Sequence, residues 1–269
     1  MFKDITIGQY VEGESFIHKL DARIKIILSL LYIVVLFVVS SPWAYLLIAI
    51  FTVGIVLMSK VPVRYILKGL KPMLYILIFT AILNLFMTPG ENVLYRIPFV
   101  NLKITQEGLS TAGLMLSRLV FLVVATSVLT LTTSPLMLTD GIEKLLKPFE
   151  IIKVPSHEIA MMMTIAIRFI PTLSEETEKI MKAQMARGAD FESGNIIKRA
   201  KAMIPLLVPL FISAFRRADD LAIAMDSRCY RGGKKRTRMK QMKITYRDMI
   251  AVGFMIVFMS VLVIIQYAF

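Results

Sequence analysis

The chain predicts an all-α integral membrane protein, with about five transmembrane helices and a cytoplasmic block of about three helices, two of them long and crossed. Three observations carry this expectation. Hydrophobic residues make up 57% of the 269 residues and the mean hydropathy is +0.69, outside the range of a soluble domain. Several long runs are poor in charge. The Lys and Arg residues that bring the net charge to +13 fall between those runs and in one central block. A basic patch interleaved with aromatics would point to nucleic acid, whereas this placement follows membrane topology and argues against a nucleic-acid partner.

A spanning helix needs roughly 17 to 25 mostly apolar residues. Four runs of that kind precede residue 135, at about Ile24 to Ser40, Trp43 to Ser59, Pro72 to Thr88 and Leu109 to Thr132, and a fifth runs from Met249 to Phe269. Lys3, Lys19, Arg23 and Lys25 lie before or at the start of the first run, and Lys60, Arg64, Lys68 and Lys71 separate the second from the third. The first-to-second connection has no Lys or Arg, and the loop from Pro89 to Gly108 has only Arg96 and Lys103. By the positive-inside rule the N-terminus is cytoplasmic and the C-terminus is outside. The first run starts after mixed charges and is followed by Ser-Ser-Pro-Trp, so no removable signal peptide is expected.

The division that follows is 1–133 with four transmembrane helices, 134–248 in the cytoplasm, and 249–269 as the closing helix. The middle block holds 21 of the 32 Lys and Arg residues, yet it contains apolar stretches at Ile159 to Ile170 and Met203 to Phe215. These are too short or too broken by proline for spans, and amphipathic helices at the membrane surface fit them better. The first helix of the block lies near Leu136 to Phe149. A second starts at Val154-Pro155-Ser156, where proline and serine suit a helix start, and runs to Arg187. Pro171 removes a backbone donor and predicts a kink in it. The third extends from about Asn195 to Arg231, with Pro205 and Pro209 in its apolar half.

Catalytic chemistry is hard to place on this chain. Gly232-Gly233-Lys234 lacks the earlier glycine and the hydroxyl residue of a phosphate loop. His18 and His157 are the only histidines and have no chelating spacing, so no metal site is expected. The single cysteine, Cys229, excludes an internal disulfide. Arg118 and Asn84 are the polar residues of note within the apolar runs. For Arg118, snorkelling or a bond between helices is favoured over a transport pathway.

The helix endings are more informative. In Ala186-Arg187-Gly188 the glycine suits the left-handed position after a helix, and the arginine suits the negative end of its dipole. The third helix ends similarly, in Ser227-Arg228-Cys229-Tyr230-Arg231. Two exposed arginines at helix ends suit docking into a partner's groove, because the guanidinium fork makes several charge-assisted bonds. Ala214, Ala218 and Ala222, four residues apart, predict a stripe where another helix crosses closely. The methionine run Met161-Met162-Met163 reads equally as an adaptable binding surface and as ordinary membrane-protein composition.

These features resemble the transmembrane T component of energy-coupling factor (ECF) transporters. Ala186-Arg187-Gly188 matches the first of that family's two Ala-Arg-Gly-like motifs, and Ser227-Arg228-Cys229 keeps only the arginine of the second. Arg228 and Arg231 both remain candidates there, with Arg228 preferred. Gly8, Tyr10, Ser15, His18, Leu20, Asp21, Arg23 and Lys25 also stand where the family's opening has them, with Asp21 suited to cap the first span. The resemblance implies a non-catalytic scaffold of an ATP-driven importer of vitamins or other micronutrients. Two ABC-type ATPase subunits would carry the ATP and Mg, and the chain itself would bind no cofactor. A small membrane S component would bind the substrate. Arg187 and Arg228 would dock the ATPases. Apolar surfaces of the long helices, including Met161, Met162, Met163, Ile204 and Leu207, would hold the S component. Two other readings are a stand-alone secondary transporter or channel using Arg118 and the loop around Glu91 to Lys103, and a membrane-bound enzyme.

Overall fold

A computed structural model describes residues 10–89, 93–96, 103–191, 193, 195–232 and 242–268. Lys3, Gly8, Glu91, Gly233, Lys234 and Phe269, named above, lie outside them. Contacts divide the chain into two units, one drawn from Gly8–Gly141 with Gln241–Phe269 and the other from Ile142–Lys240.

The first unit contains α1 (Ala22–Val38), α2 (Pro42–Ser59), α3 (Val63–Leu70), α4 (Leu74–Met87), α5 (Gln106–Thr132) and α9 (Tyr246–Ala268). Among the described residues, four segments are long and apolar enough to cross a membrane: Pro42–Ser59, Val63–Met87, Gln106–Thr132 and Tyr246–Tyr267. The remaining apolar run forms α1, whose 17 residues sit at the short end of a spanning length. Two departures from expectation are local. The basic connection before Pro72 is helical, because Val63–Leu70 is amphipathic and leads through a 3₁₀ turn at Lys71–Met73 into α4. Strands β1 (Val93–Arg96) and β2 (Lys103–Thr105) pair antiparallel in the loop before α5, a small ribbon on an otherwise helical chain.

Helix starts follow local chemistry. Asp21 caps α1, its Oδ1 accepting from the Arg23 N–H at 2.9 Å. Thr105 caps α5 by accepting from the Gly108 N–H at 3.0 Å. A Cβ on Gly108 would stand 2.9 Å from the Leu85 carbonyl oxygen, so glycine is what lets α4 and α5 approach. The main apolar cluster joins α1, α2 and α9 through Leu36, Ile48 and Leu262, each nearly inaccessible, with Phe51 stacked on Phe258 at 3.8 Å. Since lipid is as apolar as these side chains, close packing rather than exclusion from water holds them.

One buried polar knot ties the ends together. Asp248, 1% exposed, accepts from the backbone N–H of Asp21 and from that of Thr245, both at 2.8 Å. Its carboxylate thereby joins the beginnings of α1 and α9. The buried Lys25 ammonium donates to the Thr132 carbonyl at 2.9 Å, to Thr133 Oγ1 at 3.2 Å and to the His18 carbonyl at 3.3 Å. It therefore fixes the end of α5 to the segment before α1. At the other end, Arg118 of α5 donates from Nε to the Tyr45 hydroxyl at 2.7 Å and from a terminal nitrogen to the Val39 carbonyl at 3.0 Å. Its bonds run between helices, as favoured above.

The second unit contains the end of α6 (Pro135–Leu146), the 3₁₀ turn Lys147–Ile152, α7 (Ser156–Ala186) and α8 (Ile196–Ser227). Helix α7 continues through Pro171, and α8 through Pro205 and Pro209. The third helix of the block, α8, stops at Ser227 rather than Arg231.

Removing a buried carboxylate that serves two backbone donors should be costly. Asp248→Ala is expected to lose about 3 kcal/mol, with two charge-assisted bonds gone and two N–H groups left unpaired. The measurement is the thermal unfolding midpoint in detergent, and an unchanged midpoint would refute the joining role.

Candidate functional site

The ends of α7 and α8 have the same backbone construction. At the first, the Gly188 N–H donates to the Met185 carbonyl and the Ala189 N–H to the Gln184 carbonyl, both at 3.0 Å. At the second, the Cys229 N–H donates to the Asp226 carbonyl at 2.8 Å and the Tyr230 N–H to the Met225 carbonyl at 3.0 Å. Each pair is a complete Schellman closure, which requires a left-handed residue just past the cap. Gly188 has φ +88° and Cys229 has φ +55°. The register is identical, so Arg187 and Arg228 are both the cap residue, and Ala186-Arg187-Gly188 superposes position by position on Ser227-Arg228-Cys229. Arg231 lies beyond the closure. All seven residues are exposed.

The two helices run antiparallel. Glu176 of α7 pairs with Arg217 of α8 at 2.9 Å, while Tyr230, just past α8, donates to Met161 Sδ near the start of α7 at 3.0 Å. Arg187 lies eleven residues beyond Glu176 and Arg228 lies eleven beyond Arg217. At 1.5 Å per residue each arginine stands about 16 Å from the ion pair, in opposite directions. The Glu176 carboxyl is held below the usual carboxylate range by a hydrogen bond from Ser213 and by the Arg217 charge.

The second end is additionally braced. The Tyr230 hydroxyl lies 3.4 Å from His157 Nε2, and His157 Nδ1 lies 3.2 Å from Glu143 Oε1. Sequence reasoning dismissed His157 as a ligand and missed this bracing, because no spacing links residues 143, 157 and 230.

The remaining sequence candidates are dispersed. Met161 is half-buried and engaged by Tyr230, and Met163 is half-buried, while Met162 is exposed. Ile204 and Leu207 are exposed on α8 beside the buried Leu206, and Pro171 is exposed on α7. Ala214 is half-buried, but Ala218 and Ala222 are exposed. The tie between the helices at this level therefore runs through Ser213, Arg217 and Glu176 rather than along the alanine stripe. Among the described residues no His, Cys, Asp and Glu side chains gather as metal ligands.

A bundle of apolar helices with a hairpin of two long helices, each closed on an exposed arginine, defines a polytopic membrane protein. Residues 13–239 match the family described as cobalt transport protein, CbiQ. The chain is similar to the energy-coupling factor transporter transmembrane protein EcfT of Clostridium kluyveri, 63% identical over 252 residues and 93% of each chain. It is 54% identical to that of Ruminiclostridium cellulolyticum over the full length of both, and 45% identical to that of Bacillus subtilis over 97% of this chain and 98% of the relative. The chain belongs to this EcfT family, the membrane component of energy-coupling factor transporters.

Two expectations follow from the geometry. Relieving the left-handed non-glycine residue by Cys229→Gly should stabilise the α8 end by about 1 kcal/mol, and Gly188→Ala should cost the α7 end about as much. Amide hydrogen exchange over the last turn of each helix reads both. The second concerns acid. A carboxyl held low stabilises the crossing above the ordinary carboxylate range, and that contribution is lost as pH falls through its folded value. Spin labels at the exposed positions of Lys179 and Asp220 should show a broadened distance distribution once the pH falls below the ordinary carboxylate range. The Glu176→Gln variant should be broad already at neutral pH.

Proposed function

We propose that the chain is the non-catalytic scaffold of an ATP-driven importer, linking two ATPase subunits to a membrane S component that binds a vitamin or other micronutrient. The observation that carries this reading is the pair of superposable arginine-capped ends on α7 and α8. A groove complementary to one end is complementary to the other, so two copies of one kind of partner can be held. Arg187 and Arg228, with their flanking residues, are the proposed docking points. Arg231 lies outside the shared register and is not needed for it.

The exposed apolar residues of the long helices support the S-component contact. Met162, Ile204 and Leu207 belong to this set, and α8 also exposes Phe211 and Phe215. In this reading the N-terminus and residues 134–248 are cytoplasmic and the C-terminus is outside, as the Lys and Arg placement implies. ATP and Mg reside on the ATPase partners. Closure of those subunits moves the two helix ends, and the hairpin carries the movement to the S component.

A stand-alone transporter would need an unengaged polar group in its interior. Arg118 is already committed to Tyr45 and Val39. A cavity between α1, α2, α5 and α9 is lined almost wholly by hydrocarbon.

In the complete transporter, Arg187→Ala with Arg228→Ala is expected to abolish substrate uptake and to release the ATPase subunits during purification. Arg231→Ala should leave both intact. Full uptake by the double variant would remove the docking role.

A further inference from the structure

We propose that the cavity between α1, α2, α5 and α9 holds one acyl chain of an anionic phospholipid, with its headgroup at the Lys60 and Arg247 ends of α2 and α9. The cavity encloses about 430 Å³, within the size range of small-ligand sites. Its polar side chains are Lys25, Ser29, Tyr32, Thr52 and Thr132. Every one of them is already hydrogen-bonded within the fold. Ser29 donates to the Ile26 carbonyl, Thr52 to the Ile48 carbonyl and Thr132 to the Val128 carbonyl, while the Tyr32 and Thr52 hydroxyls bond each other at 2.6 Å. Lys25 makes the three bonds described above.

A buried water needs two to four polar partners, and a polar substrate needs more, so neither is served here. An empty space of this size would forfeit the dispersion contacts of its whole lining. Hydrocarbon meets both conditions.

The cavity also has a lateral mouth. Helices α2 and α9 are tied at one end, where Gln266 Oε1 accepts from the backbone N–H groups of Ser40 and Ser41. In mid-length they meet through Phe51 stacked on Phe254 and Phe258. Past that stack the lining residues Met58 and Ile250 are 53% and 57% exposed, and Phe254 at its edge is 62% exposed, so the opening falls between the two helices. A chain entering from the bilayer at that level meets the stack of Tyr32, Phe51 and Phe254 as a ceiling. A partner helix, about 10 Å across with its side chains, is too thick for the space.

Charge identifies the headgroup. Lys60 closes α2 and is exposed, Lys243 is exposed just before α9, and the Arg247 guanidinium rests over the Tyr246 ring at 5.6 Å. Cations at the end of a lipid-facing opening select an anionic headgroup.

The test is native mass spectrometry of the complete transporter released from its own membrane in mild detergent. One glycerophospholipid per chain should be retained, enriched at least fivefold in anionic species over the bulk membrane. Filling the cavity by Ala125→Trp, or more gently by Ser29→Leu, should lower retention at least fivefold in a complex of unchanged subunit composition. Lys60→Ala with Arg247→Ala should keep the lipid but remove the anionic enrichment. Equal retention by wild type and both filling variants overturns the site, and retained lipid matching the bulk membrane in headgroup overturns the anionic assignment. Loss of the lipid on assembly, with retention by the isolated chain, would make a partner segment the occupant and also overturn the proposal.

Discussion

A single carboxylate organises the membrane bundle. Helix starts leave backbone N–H groups without partners, and in a bilayer no water is at hand to satisfy them. Asp248 supplies one acceptor to the beginning of α1 and one to the beginning of α9, although 227 residues separate it from Asp21. Both helix starts carry the positive end of a dipole, so one negative charge serves two of them at once. Lys25 balances this nearby by donating to groups at the end of α5, where bare carbonyls make the dipole negative. The bundle's apolar faces then need only pack, since the ends already hold the helices in register.

The second unit is organised by a different rule, the closure of two helix ends by a left-handed residue. At Gly188 this conformation is free of strain, whereas Cys229 adopts it despite its side chain. Helix α8 stops at Ser227 because of that turn, and Tyr230 then reaches back to α7 to hold the end in place. Such bracing leaves the exposed turn less conformational freedom to lose when anything closes around it.

Much of this was legible in the sequence. Long apolar runs located α2, α4, α5 and α9, Pro155-Ser156 located the start of α7, and Gly188 its end. These signals are local and strong. The rest depends on residues far apart in the chain. The short α3 carries a helical apolar face but is too brief to stand out among its lysines. The Asp248 bridge, the Glu176 and Arg217 pair, and the Glu143, His157 and Tyr230 bracing have no fixed spacing. The alanine stripe followed a sound rule about close helix crossing, yet Ala218 and Ala222 face outward while Ser213 and Arg217 on a neighbouring row take the contact. For the second arginine, only backbone geometry distinguishes Arg228 from Arg231.

The equal spacing of Arg187 from Glu176 and of Arg228 from Arg217 has a further consequence. An antiparallel pair with identical closures, equidistant from its tie, carries a local pseudo-twofold axis through that ion pair, although the two helices share no repeated sequence. A single chain cannot be symmetric with itself throughout, but this hairpin presents matching halves to whatever grips it. The two arginine-capped ends are therefore related by one axis, and its position is fixed by Glu176 and Arg217.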